Sequence, residues 1–257
     1  MRLIPLTFLL LTACGTAATA PKWRASPCRQ TLFEATRFTV CNPGRGKLQL
    51  IAASKSEAPL HTFAEVTTLI PGERVAFAMN AGMFDEDGRP IGLAVVDGVQ
   101  KHAINLRDGE GNFHLKPNGV FMVRKNGAAS IVVSETYKPS ATIAFATQSG
   151  PMLVIDGAIH PKFDADGESR FIRNGVGIAP DGHALFVISN EVVSFGKLAR
   201  FFRDGLRARN ALYFDGSVSS LWDPASSRQD AGVPLGPIIV ALKAEASEPG
   251  RAGRAIP

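Results

Sequence analysis

The sequence predicts a single α+β domain, with a mixed or antiparallel sheet and a few helices packed against it. Many short apolar segments are bounded by Gly, Pro, Asn or Asp, which is the pattern of strands joined by turns. Only two segments have the spacing of an amphipathic helix, so strands outnumber helices. No repeat or change of composition divides the 257 residues, and a hydrophobic content of 45% is enough to build one core.

Twelve segments are predicted to be strands because each is short, apolar and bounded by turn residues. They are residues 37–41, 47–53, 74–79, 91–97, 119–124, 129–134, 141–147, 152–156, 175–179, 184–190, 211–214 and 236–242. Pro180-Asp181-Gly182 predicts a hairpin turn between two of them, since proline and glycine supply the backbone angles of tight turns.

Two segments are predicted to be helices. The first covers residues 61–70 and places three apolar side chains on one stripe, Phe63, Val66 and Ile70. The second begins at Ser194, whose hydroxyl can cap a helix, and runs to about Arg207. Its apolar face consists of Leu198, Phe201, Phe202 and Leu206.

The first residues have the features of an export signal. An apolar run, residues 3–11, follows one positive residue and is too short to span a bilayer as a helix. Small residues then precede Cys14, as in the lipobox of bacterial lipoproteins. We expect residues 1–14 to be a lipoprotein-type signal segment, with Cys14 lipidated and the protein anchored in the periplasm, at the outer membrane. The alternative is cleavage after residues 18–20, which would release a soluble periplasmic protein.

The rest of the chain is divided by composition. Residues 15–27 are rich in Ala, Thr and Pro and are expected to form a tether, while residues 245–257 are expected to form a disordered tail. The domain is predicted to span residues 28–244. If Cys14 carries the lipid, Cys28 and Cys41 remain as an even pair in an oxidising compartment.

A disulfide between Cys28 and Cys41 requires the chain to reverse between them, because a straight strand would hold the sulfurs too far apart. We expect that reversal near residues 34–36, with a short strand on each side. Such a bridge would stabilise the fold by about 3 kcal/mol. The alternative is two free buried thiols.

The charge distribution argues against nucleic-acid binding. The net charge is +5, and the densest basic cluster lies on the second predicted helix, where a solvated helix face explains it. Its members are Arg200, Arg203, Arg207 and Arg209. A mildly positive protein suits an anionic substrate.

Five polar clusters share one design, in which Asn, Gln, Ser or Asp stands next to Gly beside an apolar strand. They are Asn80-Ala81-Gly82-Met83-Phe84, Pro117-Asn118-Gly119-Val120-Phe121, Gln148-Ser149-Gly150-Pro151, Arg173-Asn174-Gly175-Val176-Gly177 and Asp215-Gly216-Ser217-Val218-Ser219-Ser220. Each one alone is explained by an ordinary turn. Together they predict strand ends that converge on one crevice.

In this order the clusters resemble the phosphodiester glycosidase family, over roughly residues 45–243. The chain departs from better-known members in having Gly216-Ser217 where they have two glycines after the aspartate. A side chain at Ser217 is expected to crowd or reshape the pocket.

The resemblance implies hydrolysis of a sugar joined through its anomeric carbon to a phosphodiester. It implies Asp215 and Arg173 as catalytic residues, with Arg173 gripping phosphate oxygens. Asp215 would be the nucleophile, the general base or the stabiliser of oxocarbenium charge. A phosphomonoester leaves easily, so a second carboxylic acid is less necessary than in ordinary glycosidases. The expected substrate-binding residues are Asn80, Asn118, Gln148, Ser149, Asn174, Gly216, Ser217, Ser219 and Ser220.

The expected partner is therefore a glycan or glycosyl phosphate, with membrane contact only through the N-terminal lipid. No metal ligand is assigned and no cofactor is named, although Asp and Asn groups would accept a divalent cation. Residues 164–168 fail the EF-hand register and are expected to be a polar loop. Two further hypotheses stay open. One is a glycan-binding lipoprotein without turnover, and the other is a metal-dependent phosphodiesterase that cuts the P–O bond.

Overall fold

The computed structural model describes residues 26–54 and 56–244. The predicted signal segment with Cys14, nearly all of the tether and the predicted tail lie outside the described residues. Within that range no helix combines the length and the apolar character needed to cross a membrane.

The described residues form many strands and few helices. The strands are β1 Cys28–Phe33, β2 Thr36–Cys41, β3 Leu48–Ile51, β4 Val75–Asn80, β5 Ala94–Val96, β6 Val99–His102, β7 Gly119–Arg124, β8 Ala129–Val133, β9 Ile143–Ser149, β10 Met152–Ile155, β11 Ala158–Ile159, β12 Asn174–Ile178, β13 Ala184–Ser189, β14 Ala211–Tyr213, β15 Leu221–Asp223, β16 Arg228–Gln229 and β17 Ile238–Leu242. The helices are α1 Phe63–Val66 and α2 Phe195–Arg200, and α2 continues into a π-helical turn, Phe201–Gly205. Short 3-10 turns cover Gly72–Arg74, Asn112–His114, Ser134–Thr136 and Pro224–Ser226.

The strands make three antiparallel sheets. Sheet 1 has the order β1-β2-β13-β12-β14-β10-β11, sheet 2 the order β16-β15-β4-β17-β3, and sheet 3 the order β6-β5-β9-β7-β8. The predicted α+β single domain is confirmed, with strands in the majority and every described strand pair antiparallel.

One core lies where the three sheets face each other. Phe77 comes from sheet 2, Phe121 from sheet 3, and Phe186 and Phe214 come from or directly follow strands of sheet 1. The Phe186 ring lies 5.4 Å from that of Phe77 and 5.8 Å from that of Phe121, between ring centroids. Burying these rings together is the main apolar gain that holds the sheets to one another.

The helices cover outer faces of two sheets. α2 packs Leu198 against sheet 1, in a cluster that includes Phe38 and Val187. α1 packs Phe63 and Val66 against sheet 2. Sheets 1 and 2 therefore each pack against the other sheets on one face and against a helix on the opposite face.

The disulfide prediction is confirmed. Cys28 and Cys41 stand directly opposite each other in the β1–β2 pair, and their sulfurs are bonded. The chain reverses at Glu34 and Ala35, whose φ angles of +45° and +59° are those of a two-residue turn suited to a tight hairpin. The expected reversal near residues 34–36 is therefore present.

All twelve predicted strands are present, and so is the 180–182 hairpin turn. The first helix is much shorter than the predicted 61–70. Thr62 and Glu65 form a capping box at its start, but the Thr67 and Thr68 hydroxyls bond back to the carbonyls of the preceding turn and the helix ends. Ser194 caps α2 as predicted, by accepting from Lys197 N at 3.1 Å.

Candidate active site

Two buried asparagines join sheet 1 to sheet 2. Asn80 ends β4 and is 2% exposed, while Asn174 begins β12 and is fully buried. The Asn174 Nδ2 donates to Asn80 Oδ1 at 2.8 Å and to the Asn80 carbonyl oxygen at 3.0 Å. Strand ends from different sheets therefore converge here.

This asparagine pair holds the loop that follows β14. Asp215 N donates to Asn174 Oδ1 at 3.2 Å, and Asn80 Nδ2 donates to the Asp215 carbonyl oxygen at 3.3 Å. Ser220 N donates to Asn80 Oδ1 at 2.8 Å. The Ser219 hydroxyl lies 3.0 Å from the Asp215 carbonyl oxygen and 3.2 Å from Asn174 Oδ1. The backbone on both sides of Asp215 is thus fixed by side chains from both sheets.

Ser149, at the end of β9, contributes from sheet 3. Its buried hydroxyl donates to the Phe214 carbonyl oxygen at 2.7 Å, immediately before Asp215. Six of the predicted site residues therefore lie together, and we call them the Asp215 cluster. They are Asn80, Ser149, Asn174, Asp215, Ser219 and Ser220.

The Asp215 carboxylate accepts few hydrogen bonds from the described protein groups. Among the described residues its only hydrogen bond comes from Ser217 N, at 3.0 Å to Oδ1. Burial raises the pKa of the Asp215 carboxyl above its usual range, and the Ser217 N–H opposes that rise only in part. A carboxyl group with a raised pKa is a better proton acceptor once it is ionised, which suits it to proton transfer.

Gly216 has no room for a side chain. A Cβ atom at this position would overlap the hydroxyl of Tyr213. Ser217, by contrast, is exposed. The serine that replaces the family's second glycine therefore stands at the surface of the loop, whereas the first glycine is the sterically required one.

Arg173 is placed differently from the expectation. It is 1% exposed, and its guanidinium carbon lies 3.7 Å from the centroid of the Phe195 ring. Nε donates to the Val193 carbonyl oxygen at 2.9 Å, and one terminal nitrogen donates to the carbonyl and hydroxyl oxygens of Ser169, both at 3.0 Å. In the described part of the chain no carboxylate pairs with it. The guanidinium is enclosed by protein and is not presented to a phosphate.

Arg173 is connected to the Asp215 loop through a tyrosine. Its other terminal nitrogen donates to the Tyr213 hydroxyl at 3.2 Å, and the same hydroxyl accepts from the Gly216 N–H. Burial raises the pKa of Tyr213 to about 12, so the hydroxyl stays protonated at any physiological pH. Burial also lowers the pKa of Arg173.

Asn118 and Gln148 lie outside the Asp215 cluster. Gln148 uses its whole amide to brace the 93–105 loop: Oε1 accepts from Leu93 N and Asn105 N, while Nε2 donates to the Asn105 carbonyl oxygen and Ser134 Oγ, at 2.7–3.0 Å. Asn118 is fully buried and donates to the Phe113 carbonyl oxygen at 2.8 Å. Both side chains support loops, and neither faces Asp215.

A polar cleft of about 780 Å³ opens beside the Asp215 cluster. Ser219 connects the two, because it lines the cleft and contacts Asp215 and Asn174. The remaining lining residues come from β1, β2, β13 and the segment after it, the segment before β12 and the β16 region. They are Gln30, Arg37, Ile172, Ser189, Asn190, Glu191, Arg228, Asp230 and Ala231. None of these was predicted, since no local motif marks them and they meet only in the folded chain.

Another cavity, of about 660 Å³, lies between β3 and the β5–β6 hairpin. No predicted site residue lines it, so we place the candidate active site at the cleft beside Asp215. Across residues 26–54 and 56–244, no group of three or more His, Cys, Asp or Glu side chains is arranged to hold a metal ion.

Comparison with known proteins decides the family. The family model for phosphodiester glycosidases matches residues 73–234. The chain belongs to the phosphodiester glycosidase family. The resemblance expected from the five motifs is confirmed, and every member of the Asp215 cluster falls inside the matched region.

One curated relative and two solved structures are similar to this chain, and the chain spans less than two thirds of the length of the curated relative. The chain is 42% identical over 149 residues to the uncharacterized protein YigE of Escherichia coli (strain K12), and the match covers 58% of each. A hypothetical protein from Synechocystis has a similar structure, with a TM-score of 0.55 and 15% identity over 84% of this chain and 61% of that one. A protein of Burkholderia pseudomallei K96243, named as a candidate exported protein, gives a TM-score of 0.50 and 12% identity over 80% and 73%. The two structures show a shared fold alone.

Proposed function

We propose that this phosphodiester glycosidase hydrolyses the bond between the anomeric carbon of a sugar and the oxygen of a phosphodiester. The observation that carries the proposal is Asp215, a carboxyl group with a raised pKa, fixed at a strand end beside a polar cleft. Its placement within the region matched by the family model supports the same conclusion.

The reaction balances with water as the only co-reactant. The bond from the anomeric carbon to the phosphate oxygen breaks, the water oxygen bonds to the anomeric carbon, and the phosphate leaves as a monoester. This leaving group needs little protonation, so one carboxylate beside the cleft is enough. Asp215 would act on the anomeric side, as nucleophile, as base toward water or by stabilising the oxocarbenium charge.

Asn80, Asn174 and Arg173 would position Asp215 without contacting the substrate themselves. The side-chain amides of Asn80 and Asn174 already hydrogen-bond each other and the loop backbone, and Arg173 donates a hydrogen bond to Tyr213. Ser219, which reaches the cleft, is the member of the cluster best placed to donate to a sugar or phosphate oxygen. A site whose polar groups are already oriented reduces the reorganisation needed in the transition state.

We also propose that the protein works in the periplasm as a lipoprotein, on glycosyl phosphodiesters of envelope glycans or their fragments. The motif ending at Cys14 supports the anchor, and the similarity to a candidate exported protein supports export. Expression with a labelled fatty acid tests the anchor: label should enter the wild-type protein and not the Cys14→Ser variant. Equal labelling of both would contradict it.

The reaction is tested with a panel of sugar-1-phosphodiesters in ¹⁸O-labelled water, using the chain without residues 1–14. Label on the anomeric carbon of the released sugar is the expected result, and Asp215→Asn should abolish its release. Label on phosphate, with activity lost to a chelator, would instead indicate a phosphodiesterase. Glycan binding without turnover, unchanged in Ser217→Gly, would indicate a binding protein.

A further inference from the structure

The polar cleft has two arginines in its lining, and one of them is already fully engaged. Arg228 Nε and one terminal nitrogen donate to the Asp230 carboxylate at 2.8–3.2 Å. Its other terminal nitrogen donates to Thr39 Oγ1 at 3.3 Å and to Asn190 Oδ1 at 3.2 Å. These contacts tie the β15–β16 hairpin to sheet 1, so Arg228 is a structural cation.

Arg37 is the cation of the cleft with free donors. Its side chain is 66% exposed, and within residues 26–54 and 56–244 its guanidinium makes no hydrogen bond. The nearest opposite charge is Glu191, whose Oε1 lies 3.9 Å from a terminal nitrogen of Arg37. The side-chain amides of Gln30 and Asn190 line the same space.

We propose that Arg37 is the residue that binds the phosphate group of the substrate phosphodiester, in the role that the sequence assigned to Arg173. The inference rests on the proposed function. A guanidinium presents paired donors that match two phosphate oxygens, and the one at Arg173 is closed off by Phe195 and Ser169. The position of Ser219 at the same cleft connects a phosphate on Arg37 with the Asp215 loop.

Glu191 gives the cleft a charge preference. Glu191 lies beside Arg37, and Asp230 lies beside Arg228. The charges of these four lining side chains therefore sum to zero at neutral pH. A phosphodiester carries one negative charge, whereas a sugar phosphate or the phosphomonoester product carries nearly two near neutrality. Glu191 therefore disfavours the dianions more than the diester.

The residue proposed to bind the phosphate lies outside the region that the family model matches. The hairpin that carries Arg37, residues 28–41, lies before the matched region, which begins at residue 73. The Cys28–Cys41 disulfide holds the open end of that hairpin. Arg37 is thus presented by a braced two-stranded element that borders the family's site.

The test compares three variants on the diester of the panel that the wild type cleaves best. Arg37→Ala should raise KM about tenfold and also lower kcat, because it removes charge-assisted hydrogen bonds to the phosphate of the substrate, and the same phosphate gains negative charge as it leaves in the transition state. Glu191→Gln should change KM in the opposite direction and improve the binding of sugar 1-phosphates. Arg29→Ala is the control, since Arg29 is an exposed neighbour on β1 that points to the opposite face from Gln30.

Calorimetric binding of the same diesters to the Asp215→Asn protein keeps the two proposals separable. If diesters are cleaved and Arg37→Ala has the KM of the wild type, the phosphate assignment is wrong and the proposed function stands. If diesters bind through Arg37 without being cleaved, the proposed function fails and the phosphate assignment stands. If they are neither cleaved nor bound, both are wrong.

Discussion

Replacing Asn174 by alanine should loosen the junction of sheets 1 and 2 and release the Asp215 loop. The side chain is fully buried and makes four hydrogen bonds. Two go from Nδ2 to oxygens of Asn80, and two come to Oδ1 from Asp215 N and the Ser219 hydroxyl. No neighbouring side chain in the described structure donates or accepts in the same directions.

The magnitude follows from what each partner loses. Asn80 Oδ1 keeps its bond from Ser220 N, and the Ser219 hydroxyl keeps the Asp215 carbonyl oxygen. Asp215 N loses its acceptor outright, which is the costlier kind of loss. At about 1 kcal/mol for each of the four bonds, the free energy of unfolding should fall by about 4 kcal/mol. That is a large share of the 5–15 kcal/mol typical of a domain.

Urea denaturation of the variant measures this loss, with two comparisons. Asn174→Asp keeps the shape and the acceptor but places an oxygen against both oxygens of Asn80, so it should destabilise at least as much. Asn126→Ala is the matched control, because Asn126 is an exposed turn residue with one local bond to Ala128 N. The kcat of Asn174→Ala for diester hydrolysis should be lower than that of the wild type, because the Asp215 loop is no longer fixed. A loss of stability no larger than that of Asn126→Ala would refute the reasoning.

Three further outcomes are expected. Asp215→Asn should abolish turnover yet raise the free energy of unfolding at pH 7. The folded state holds the Asp215 proton to a higher pH than the unfolded chain does, so ionisation of Asp215 destabilises the folded wild type. The extra stability of the variant should therefore vanish below about pH 4 in urea titrations. Replacing Cys28 and Cys41 by alanine should lower the free energy of unfolding by about 3 kcal/mol, and reduction of the wild type should reproduce the loss. Gly216→Ala should inactivate the protein by displacing the buried Tyr213 hydroxyl. Ser217→Gly should leave kcat/KM and urea stability close to those of the wild type, because Ser217 is exposed. Equal behaviour of the two variants would contradict the loop geometry.

The strands were predictable because their evidence is local. Short apolar runs between turn residues mark each of the twelve predicted segments. Four strands were not predicted: β6 is exposed at all four residues, β11 and β16 have two residues each, and β15 is buried but only three residues long. Without a buried face, a strand leaves no hydrophobic signal.

The meeting of Asn80, Asn174 and Asp215 was also within reach of the sequence. Each stands beside a glycine or a small residue at the end of an apolar strand, and such ends converge when sheets pack face to face. The same rule failed for Gln148, although it stands in the same kind of position. Its amide turns toward the 93–105 loop because that loop presents backbone groups that need partners.

The cleft could not be predicted because its parts are far apart in the chain. Arg37 and Arg228 lie in different sheets, and nothing local to either one distinguishes a free guanidinium from an engaged one. The burial of Arg173 has the same origin, since Phe195 and Tyr213 reach it from α2 and β14. Sequence patterns identify which residue types are present, but the availability of a charge depends on distant neighbours.

The Asp215 loop concentrates interactions that are unfavourable for stability. Asp215 is a partly buried carboxylate that accepts a single hydrogen bond from the described residues, and Arg173 is a buried cation surrounded by neutral oxygens and rings. Both raise the free energy of the folded state relative to well-paired charges. The loop between them is held from one side by the asparagine pair and from the other by the Tyr213 hydroxyl. A chain selected only for stability would lose these groups, so their convergence on one loop is a physical reason, independent of the family match, to place the chemistry at that loop.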